Sequence, residues 1–519
     1  MSARNSSTQA AVSLLVVVGH AAVAALVLVV PVWALATSLR TVAAGSEGVS
    51  GMLDRWPGLL ASTAQVCAVA LVVATGGGTV LGFLLSRTDL PGRRLLVFLV
   101  VLGACVPIYI SAIFAFAWVP AARLAGSTVA CGVLYGLFYI PLATIVLGVT
   151  FRGVDRELGE AALLDARAAK VLRLVTVPQS VWGFAGLAFL LILLVATDFT
   201  IPDLLCVRTF AEETHTQYVL HRRTAGPILT GMPLAIVLGV AMLWVQRRLG
   251  VWGRLTPAAR GVPARRMALG RAGGIVLVGL AGVLLPALAL PAATLLGKIG
   301  SPGRFFERAF ALQPVLLRSV LVAGLAATVT VAVSVGLAWT LLRGGRLRVI
   351  VGALVVLTLA LPAPVAGISL IELCDRPGWL GRVYDSPALI VYAYLVRFLA
   401  VGVLLVAAGV QRVPRELEDA ARVDGAAWAT VQRAVYWPAA GGHAWAAWLI
   451  VMVLCFADVG ATKFVVPPGW DTAAVTAFAA MHARVDSNLA VLALLSAGYV
   501  ALMWLGLVGL IRRARREAA

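Results

Sequence analysis

Long apolar stretches separated by short polar segments run through the whole sequence. A bilayer core about 30 Å thick is crossed by about 20 residues of helix. Twelve stretches have about this length or more, at residues 12–40, 60–86, 95–118, 128–150, 180–198, 226–246, 273–297, 317–342, 349–373, 386–410, 440–460 and 488–511. The pattern predicts an all-α integral membrane protein with about twelve transmembrane helices. The interrupted region at 199–225 leaves room for a re-entrant segment.

The composition excludes a soluble globular chain, because 61% of the 519 residues are hydrophobic and only 13% are charged. The net charge of +19 does not indicate nucleic-acid binding, since the charges lie between apolar runs and form no continuous basic face. With the N-terminus inside, 27 of the 42 Lys and Arg residues fall in inner segments and 14 in outer ones. This excess predicts that both termini are cytoplasmic. The apolar run from Ala11 to Leu39 is too long for a signal-peptide core and is predicted to be a retained anchor.

One polar segment occurs twice, at residues 151–178 and 411–438, each time ahead of a predicted span. At a constant offset of 259, the recurring pairs are Arg156 and Arg415, Glu157 and Glu416, Leu158 and Leu417, and Asp165 and Asp424. The closing prolines, Pro178 and Pro438, are 260 apart, so the first copy is one residue shorter. Because this offset is half the chain length, we predict two homologous six-helix halves, residues 1–260 and 261–519.

Both copies begin with acidic residues, which stabilise the first turn of a helix, and continue with small residues, which let another surface approach closely. A linker helix lying on the bilayer would also explain a single copy, but recurrence favours a cytoplasmic docking element. Gly425 would allow a turn between two short helices. The docking residues are Glu157, Glu160, Ala161, Ala162, Asp165 and Pro178 in the first copy, and Glu416, Asp419, Ala420, Ala421, Asp424, Gly425 and Pro438 in the second.

The second copy resembles the signature loop of the permease subunits of bacterial ABC importers. That signature is Glu-Ala-Ala, three residues, Gly, nine residues, an aliphatic residue, one residue, Leu and Pro. Its spacing is kept by Asp419-Ala420-Ala421, Gly425, Val435 and Pro438, with Asp in place of Glu and Trp437 in place of Leu. The first copy keeps Glu160-Ala161-Ala162 and Pro178, with Ala166 at the glycine position. The resemblance implies that each loop is a coupling helix seated in a groove of a cytoplasmic ATPase subunit.

One chain with two such halves is similar to the ferric-iron branch of these type I permeases. Further matching stretches are Thr197-Asp198-Phe199, Pro202-Asp203-Leu204-Leu205, Arg208-Thr209-Phe210, Ala457-Asp458-Val459-Gly460-Ala461-Thr462 and Pro467-Pro468-Gly469. The resemblance implies an importer of ferric iron in the bacterial inner membrane, with two ATP-binding subunits and an external solute-binding protein. Thiamine and phosphonate remain alternative solutes, since permeases for both are close relatives.

The chain contains no Gly-x-x-x-x-Gly-Lys-Ser/Thr loop for ATP phosphates, so we expect partner subunits to use the ATP. The chain itself is predicted to bind no cofactor or metal and to be a channel subunit rather than an enzyme. An ion-coupled secondary transporter is the rival class, but it would need ionisable residues inside its spans, where the sequence offers only Arg397. A membrane enzyme would need a clustered catalytic set, which the sequence lacks.

Asp198 and Asp458 each follow a closing proline by 20 residues. A helix of about 20 residues rises about 30 Å, so both carboxylates are predicted to reach the outer membrane edge. There they could form part of an outer gate on the translocation path, or each could cap the following turn. Arg397 should face a partner helix or the path rather than lipid.

The remaining chemistry-bearing residues are scattered. His215, His221 and His482 are too dispersed to predict a metal site. Cys206 and Cys374 lie in predicted outer loops, where a disulfide between the halves is conceivable. The basic stretch from Arg247 to Arg271 is either a linker beside anionic lipid or a partner-binding arm. Six outer acids could meet an external protein or simply be solvated: Asp203, Glu212, Glu213, Asp375, Asp385 and Asp471.

Overall fold

The computed structural model describes residues 2–44, 49–116, 123–154, 161, 168–249, 268–343, 345, 347–483 and 487–517. These residues form helices and no strand, as expected where an apolar environment offers no water to the backbone. The predicted boundary near residue 260 and most of the basic linker lie outside them.

Ten helices and one π-helical turn occupy the described residues before the linker. They are α1 (Ser2–Ala43), α2 (Val49–Arg87), α3 (Arg93–Cys105), α4 (Ile108–Phe116), α5 (Thr128–Arg152), α6 (Ala168–Val171), the π turn Leu172–Thr176, α7 (Val177–Thr197), α8 (Thr200–Leu204), α9 (Phe210–His221) and α10 (Ala225–Leu249).

Twelve helices and a second π turn follow the linker in the part of the chain that the structure describes. They are α11 (Arg271–Ile299), α12 (Pro302–Arg343), α13 (Leu347–Ala360), α14 (Ala363–Cys374), α15 (Trp379–Tyr384), α16 (Ala388–Val410), α17 (Arg415–Val423), α18 (Trp428–Val431), the π turn Gln432–Tyr436, α19 (Trp437–Ala457), α20 (Thr462–Val465), α21 (Ala473–Ala483) and α22 (Ser487–Glu517).

All twelve predicted spans fall on helices, which confirms the all-α membrane fold. Among the described residues, eight helices are long and apolar enough to cross a membrane, or nine if α13 and α14 form one span. Two predicted spans are broken: the run at 95–118 falls on α3 and α4, and the run at 349–373 falls on α13 and α14, which meet at 106°. Both breaks contain a proline, Pro107 and Pro362. The region 199–225 holds the short helices α8 and α9, which contain many buried residues.

The same helix pairs pack together before and after the linker. The long helix α2 packs along α5, and α12 packs along α16, which also contacts α19. In the first pair the backbones approach closely, because a Cβ atom built at Gly78 would lie 2.5 Å from the Cβ of Ala143. The most deeply buried span is α16, which lies at the centre of the largest apolar cluster.

The first helix on each side of the linker packs on the other side's helices. Helix α1 contacts α13 and α14, and it accepts a 2.7 Å hydrogen bond at the carbonyl of Leu26 from the hydroxyl of Tyr392. Helix α11 contacts α4, and it shares an apolar cluster with α3 that includes Leu96 and Leu277. The backbone N–H of Leu269 also donates to Asp89 at 2.8 Å. The two parts of the chain are therefore interlocked.

Replacing Gly78 with leucine should destabilise the α2–α5 pair by about 1–3 kcal/mol, because the added side chain has no space against Ala143. The expected result is a lower melting temperature of the purified protein in detergent. Gly76→Leu is the matched control, since a Cβ at Gly76 has nothing within 4 Å. Equal melting temperatures for the two variants would contradict the close packing.

Candidate functional site

The second copy of the repeated segment forms a charged helix whose surface is largely exposed. Helix α17 begins after Pro414 and carries Glu416 and Glu418 in its first turn. Its apolar side chains are exposed as well, Leu417 to 54% and Val423 to 87%. Exposed large apolar side chains on a charged helix are typical of a surface that another protein covers.

The turn that follows α17 depends on glycine. Gly425 has φ of +76°, in the left-handed region that residues with a side chain avoid, and it separates α17 from α18. The sequence prediction of a turn between two short helices is therefore confirmed. Most of the other docking residues predicted for this copy are exposed: Glu416, Asp419, Ala420, Asp424 and Pro438. Ala421 is half-buried.

Most of the first copy lies outside the described residues, including Glu157, Glu160, Ala162 and Asp165. Ala161 is helical and exposed, and Pro178 is exposed in the first turn of α7. The pose of the first docking loop therefore stays a prediction.

Both copies end in the same local structure. A short helix, a five-residue π turn and a spanning helix follow one another at 168–197 and again at 428–457, so each boundary recurs after 260 residues. The second residue of the spanning helix is Pro178 in one case and Pro438 in the other. Proline has no N–H to donate and its ring clashes with the carbonyl four residues earlier. The wider π turn accommodates that missing bond.

Asp458, at the end of α19, is buried and has partners for both carboxylate oxygens. One carboxylate oxygen, Oδ2, accepts hydrogen bonds from the backbone N–H groups of Ala461 and Thr462 at 3.1 Å and from the hydroxyl of Thr462 at 2.7 Å. The other oxygen, Oδ1, lies 3.1 Å from Nε of Arg397. The carboxylate thus caps the following turn and neutralises the arginine.

Asp198, at the end of α7, caps its turn in a similar way. Its Oδ1 accepts from the backbone N–H of Thr200 at 3.2 Å and from the Thr200 hydroxyl at 2.7 Å. Its Oδ2 accepts from the hydroxyl of Tyr135 at 2.8 Å. Arg397 also interacts electrostatically with Asp198. The three residues that the sequence suggested for the path, Asp198, Asp458 and Arg397, therefore lie in one neighbourhood, with Arg397 paired to Asp458.

The structure reveals a second polar cluster that sequence reasoning missed. Asp203, His215, Lys463 and His482, which we call the cross-chain cluster, lie between the predicted spans on short helices or at their ends. Nε2 of His482 lies 2.8 Å from Oδ2 of Asp203, and Nδ1 of His215 lies 3.3 Å from Oδ1 of the same residue. Nζ of Lys463 lies 2.7 Å from Nε2 of His215. Two residues from before the linker are thus bonded to two from after it.

The contacts of the cross-chain cluster fix its protonation. Nδ1 of His482 lies 3.0 Å from the carbonyl oxygen of Phe478, so both ring nitrogens face acceptors and both must carry protons. The hydrogen bond to Asp203 raises the pKa of His482 accordingly. His215 accepts from Lys463, and burial lowers its pKa, so its ring is neutral. Burial opposes ionisation of Asp203, but the interactions with the neighbouring His215 and His482 rings outweigh it and lower the pKa of Asp203.

Three of the predicted outer acids are not available to an external protein. Glu212 and Glu213 are 8% and 3% exposed, and Asp203 belongs to the cross-chain cluster. Glu213 is paired with Arg55 at 3.1 Å, and burial raises the pKa of Glu212 to about 7. Only Asp375, Asp385 and Asp471 are exposed among the six.

The cysteines and histidines give no further site. Cys206 is exposed, Cys374 is buried and both are free thiols, so the conceivable disulfide between them is absent. Within the described ranges, no group of three His, Cys, Asp or Glu side chains has the arrangement of a metal site.

Asp458→Asn should destabilise the protein, because Asp458 is the ion-pair partner of the half-buried Arg397. Removing one partner of a fully buried pair costs about 3–5 kcal/mol, and the loss here should be smaller because Arg397 is 22% exposed and also lies near Asp198. A thermal melt in detergent would measure this loss, and Asp471→Asn is the control because Asp471 is exposed. The double variant Asp458→Asn/Arg397→Gln should recover part of the loss. A double variant as unstable as the sum of the single variants would contradict the pairing.

The pair of His482 and Asp203 should make the protein less stable as pH rises above about 6.5, the ordinary pKa of histidine. A group whose pKa is raised by folding stabilises the protein below its unfolded pKa and loses that contribution as pH rises through its folded pKa. As pH rises in this range, His482, whose pKa is raised, loses its charge while Asp203, whose pKa is lowered, stays ionised. Nearby Lys463 opposes the charge on His482, so the effect should be at most a few degrees in melting temperature.

His482→Gln should abolish this part of the pH dependence, and His221→Gln, at an exposed histidine, should leave it unchanged. Identical pH profiles for wild type and His482→Gln would refute the charged state assigned to His482.

Comparison with known proteins places the second part of the chain in a transport context. Residues 329–515 match the family model described as "Binding-protein-dependent transport system inner membrane component". No curated protein matches the chain. The matched residues include α16, the exposed helix α17, the π turn and α19. Over residues 329–515, the chain therefore carries a permease-type domain of ABC importers, a transport component rather than a catalytic enzyme.

Proposed function

We propose that the chain is the membrane-spanning subunit of an ATP-driven importer, with ferric iron as its solute. In this proposal an external binding protein delivers the iron, and two separate cytoplasmic subunits hydrolyse ATP. The chain contributes the path through the membrane and no bond chemistry. The choice of iron rests on the sequence resemblance to fused ferric permeases, whereas the importer class is supported independently by the family match at 329–515.

The observation that carries the proposal is the exposed helix α17. It lies within the family match, it has the spacing of a coupling loop, and its side chains other than Glu418 and Ala421 are exposed. A docked ATPase subunit would cover this exposed surface.

The architecture supports two related halves as part of this proposal. The π turn and its flanking helices recur after 260 residues, the broken pairs α3–α4 and α13–α14 recur, and α2–α5 packs like α12–α16. Closure of two ATPase subunits would move both docking loops together. The bundle would then alternate between outward and inward openings.

A secondary transporter gains no support from the spans. Arg397, the one basic residue that the sequence places inside a span, lies beside Asp458 as its ionic partner. An ion-coupled transporter would need groups that exchange partners during transport. The capped and paired geometry of Asp458 instead favours a structural link at the end of α19.

The test is ATP-dependent uptake of ferric iron into vesicles that hold this chain, its ATPase subunits and the binding protein. Gly425→Val should reduce uptake about ten-fold, because valine disfavours the positive φ and displaces α17. Gly469→Val is the matched control, since Gly469 has φ of +81° in the loop after α20. If wild type takes up ferric iron and Gly425→Val takes it up equally well, the docking role of α17 is contradicted.

The same vesicles decide the solute. Binding protein loaded with ferric iron, thiamine or a phosphonate should stimulate ATP hydrolysis only with the true solute. If thiamine or a phosphonate stimulates hydrolysis and no iron is taken up, the chain is still an importer subunit, but ferric iron is not its solute.

A further inference from the structure

Glu418 is the one buried residue of α17, a helix whose other side chains are exposed or half-buried. Only 4% of Glu418 is exposed. Its Oε2 accepts a 2.5 Å hydrogen bond from the hydroxyl of Tyr436, and its Oε1 accepts a 2.6 Å bond from the guanidinium of Arg422. Both carboxylate oxygens are therefore bonded, one within α17 and one outside it.

Tyr436 is the last residue of the π turn, directly before α19, and is itself buried. The bond from Tyr436 to Glu418 therefore joins the docking helix to the base of a spanning helix. Arg422 extends the link, since its guanidinium carbon lies 6.0 Å from the ring centroid of Trp339 on α12. Through Glu418 and Arg422, α17 is thus linked to the base of α19 and to α12.

The energetics make this link stiff. A buried carboxylate is costly unless it is bonded, and short hydrogen bonds to an ionised group are among the stronger ones in proteins. Pulling α17 away from α19 would break the hydrogen bond between Glu418 and the Tyr436 hydroxyl. We expect α17 and the start of α19 to move as one body.

Helix α19 carries the displacement to the opposite end of the bundle. It runs for 21 residues, about 30 Å of helix, from Trp437 to Ala457. Asp458 follows immediately and is paired with Arg397 on α16. Bonded side chains therefore connect the exposed surface of α17 to the region where the candidate path residues lie.

The first copy lacks every side chain of this link. In the repeat alignment, Gly159 stands at the position of Glu418, Leu163 at that of Arg422, and Thr176 at that of Tyr436. Glycine and leucine offer no acceptor or cation there. The difference concerns side-chain chemistry alone and is independent of how the first loop is placed.

We propose that Glu418 is a positioning residue that couples α17 rigidly to α19, through a side-chain link for which the first loop has no counterpart in sequence. The inference rests on the proposed function, because rigid coupling matters only if an ATPase subunit docks on α17. The two ATPase subunits would then be connected to their spanning helices with unequal stiffness. Movement of the subunit on the second loop would pass through this link to α19, whereas the first loop lacks the side chains that form it.

The test separates docking from coupling in the complex of the chain, its ATPase subunits and binding protein. Glu418→Ala should leave co-purification of the ATPase and its basal hydrolysis unchanged. It should lower both the hydrolysis stimulated by loaded binding protein and the solute uptake by about ten-fold, the scale of one lost charge-assisted bond. Tyr436→Phe keeps the ring and loses the donor, so it should act in the same direction.

Thr176→Val is the matched control, because it changes the position aligned with Tyr436 in the first copy and should leave uptake at the wild-type level. Glu418→Gln keeps an acceptor for Tyr436 and should recover most of the coupling. The double variant Glu418→Ala/Tyr436→Phe should be no worse than Glu418→Ala, since both remove the same bond.

Wild-type coupling in both Glu418→Ala and Tyr436→Phe would overturn the inference. If Glu418→Ala fails to fold, Tyr436→Phe becomes the deciding variant. Stimulated hydrolysis and uptake at the wild-type level in Tyr436→Phe would then be enough to overturn the inference. An equal loss of uptake in Thr176→Val would overturn the asymmetry. Failure of wild type to bind an ATPase or to be stimulated would instead refute the proposed function.

Discussion

A charged side chain inside an apolar helical bundle must meet a partner, because neither lipid nor packed hydrocarbon can solvate it. This constraint explains where the structure places its few buried charges. Glu418 is bonded at the base of α19, Asp458 is bonded at its far end, and Asp203 joins short helices from both sides of the linker. Elsewhere the contacts between spans are largely apolar and made close by small residues such as Gly78. The bonded groups tie the helix ends, while the apolar surfaces between them impose fewer directional restraints.

The interlocking of α1 and α11 adds a second restraint. Each of these helices packs on helices from the opposite side of the linker, so moving the two parts of the chain apart would break these contacts. An opening in the proposed transport cycle would keep them only if the relative motion of the two parts is small. The cross-chain cluster is suited to a small relative motion. Its residues are joined by hydrogen bonds of 2.7 and 2.8 Å between helix ends, and such a bond breaks when its two atoms move apart by a small distance.

Apolar run length was enough to predict all twelve helical segments, because a span is a local property of the sequence. The breaks at Pro107 and Pro362 could not be predicted in the same way, since Pro57, Pro141, Pro233 and Pro314 lie inside unbroken helices. Whether proline breaks a span depends on neighbours that re-satisfy the backbone. The meeting of His215 with Lys463, 248 positions apart, likewise requires the packed fold. Glu418 was hidden among neighbouring acids, because the motif does not say which carboxylate faces inward.

The distribution of these charges makes the two related parts chemically unequal. Where α16 carries Arg397, the aligned position of α5 is Phe138, and Tyr135 alone supplies a side-chain donor to Asp198 from that helix. Where α17 is braced by Glu418, the first loop has Gly159. These two sequence differences have the same effect. Each leaves the first part with fewer ionic side chains at the ends of its corresponding span. If each docking loop transmits force in proportion to the stiffness of its attachment, α19 transmits more of the force than α7. Helix α7 then follows α19 through the shared apolar packing and through Arg397, which interacts with both aspartates.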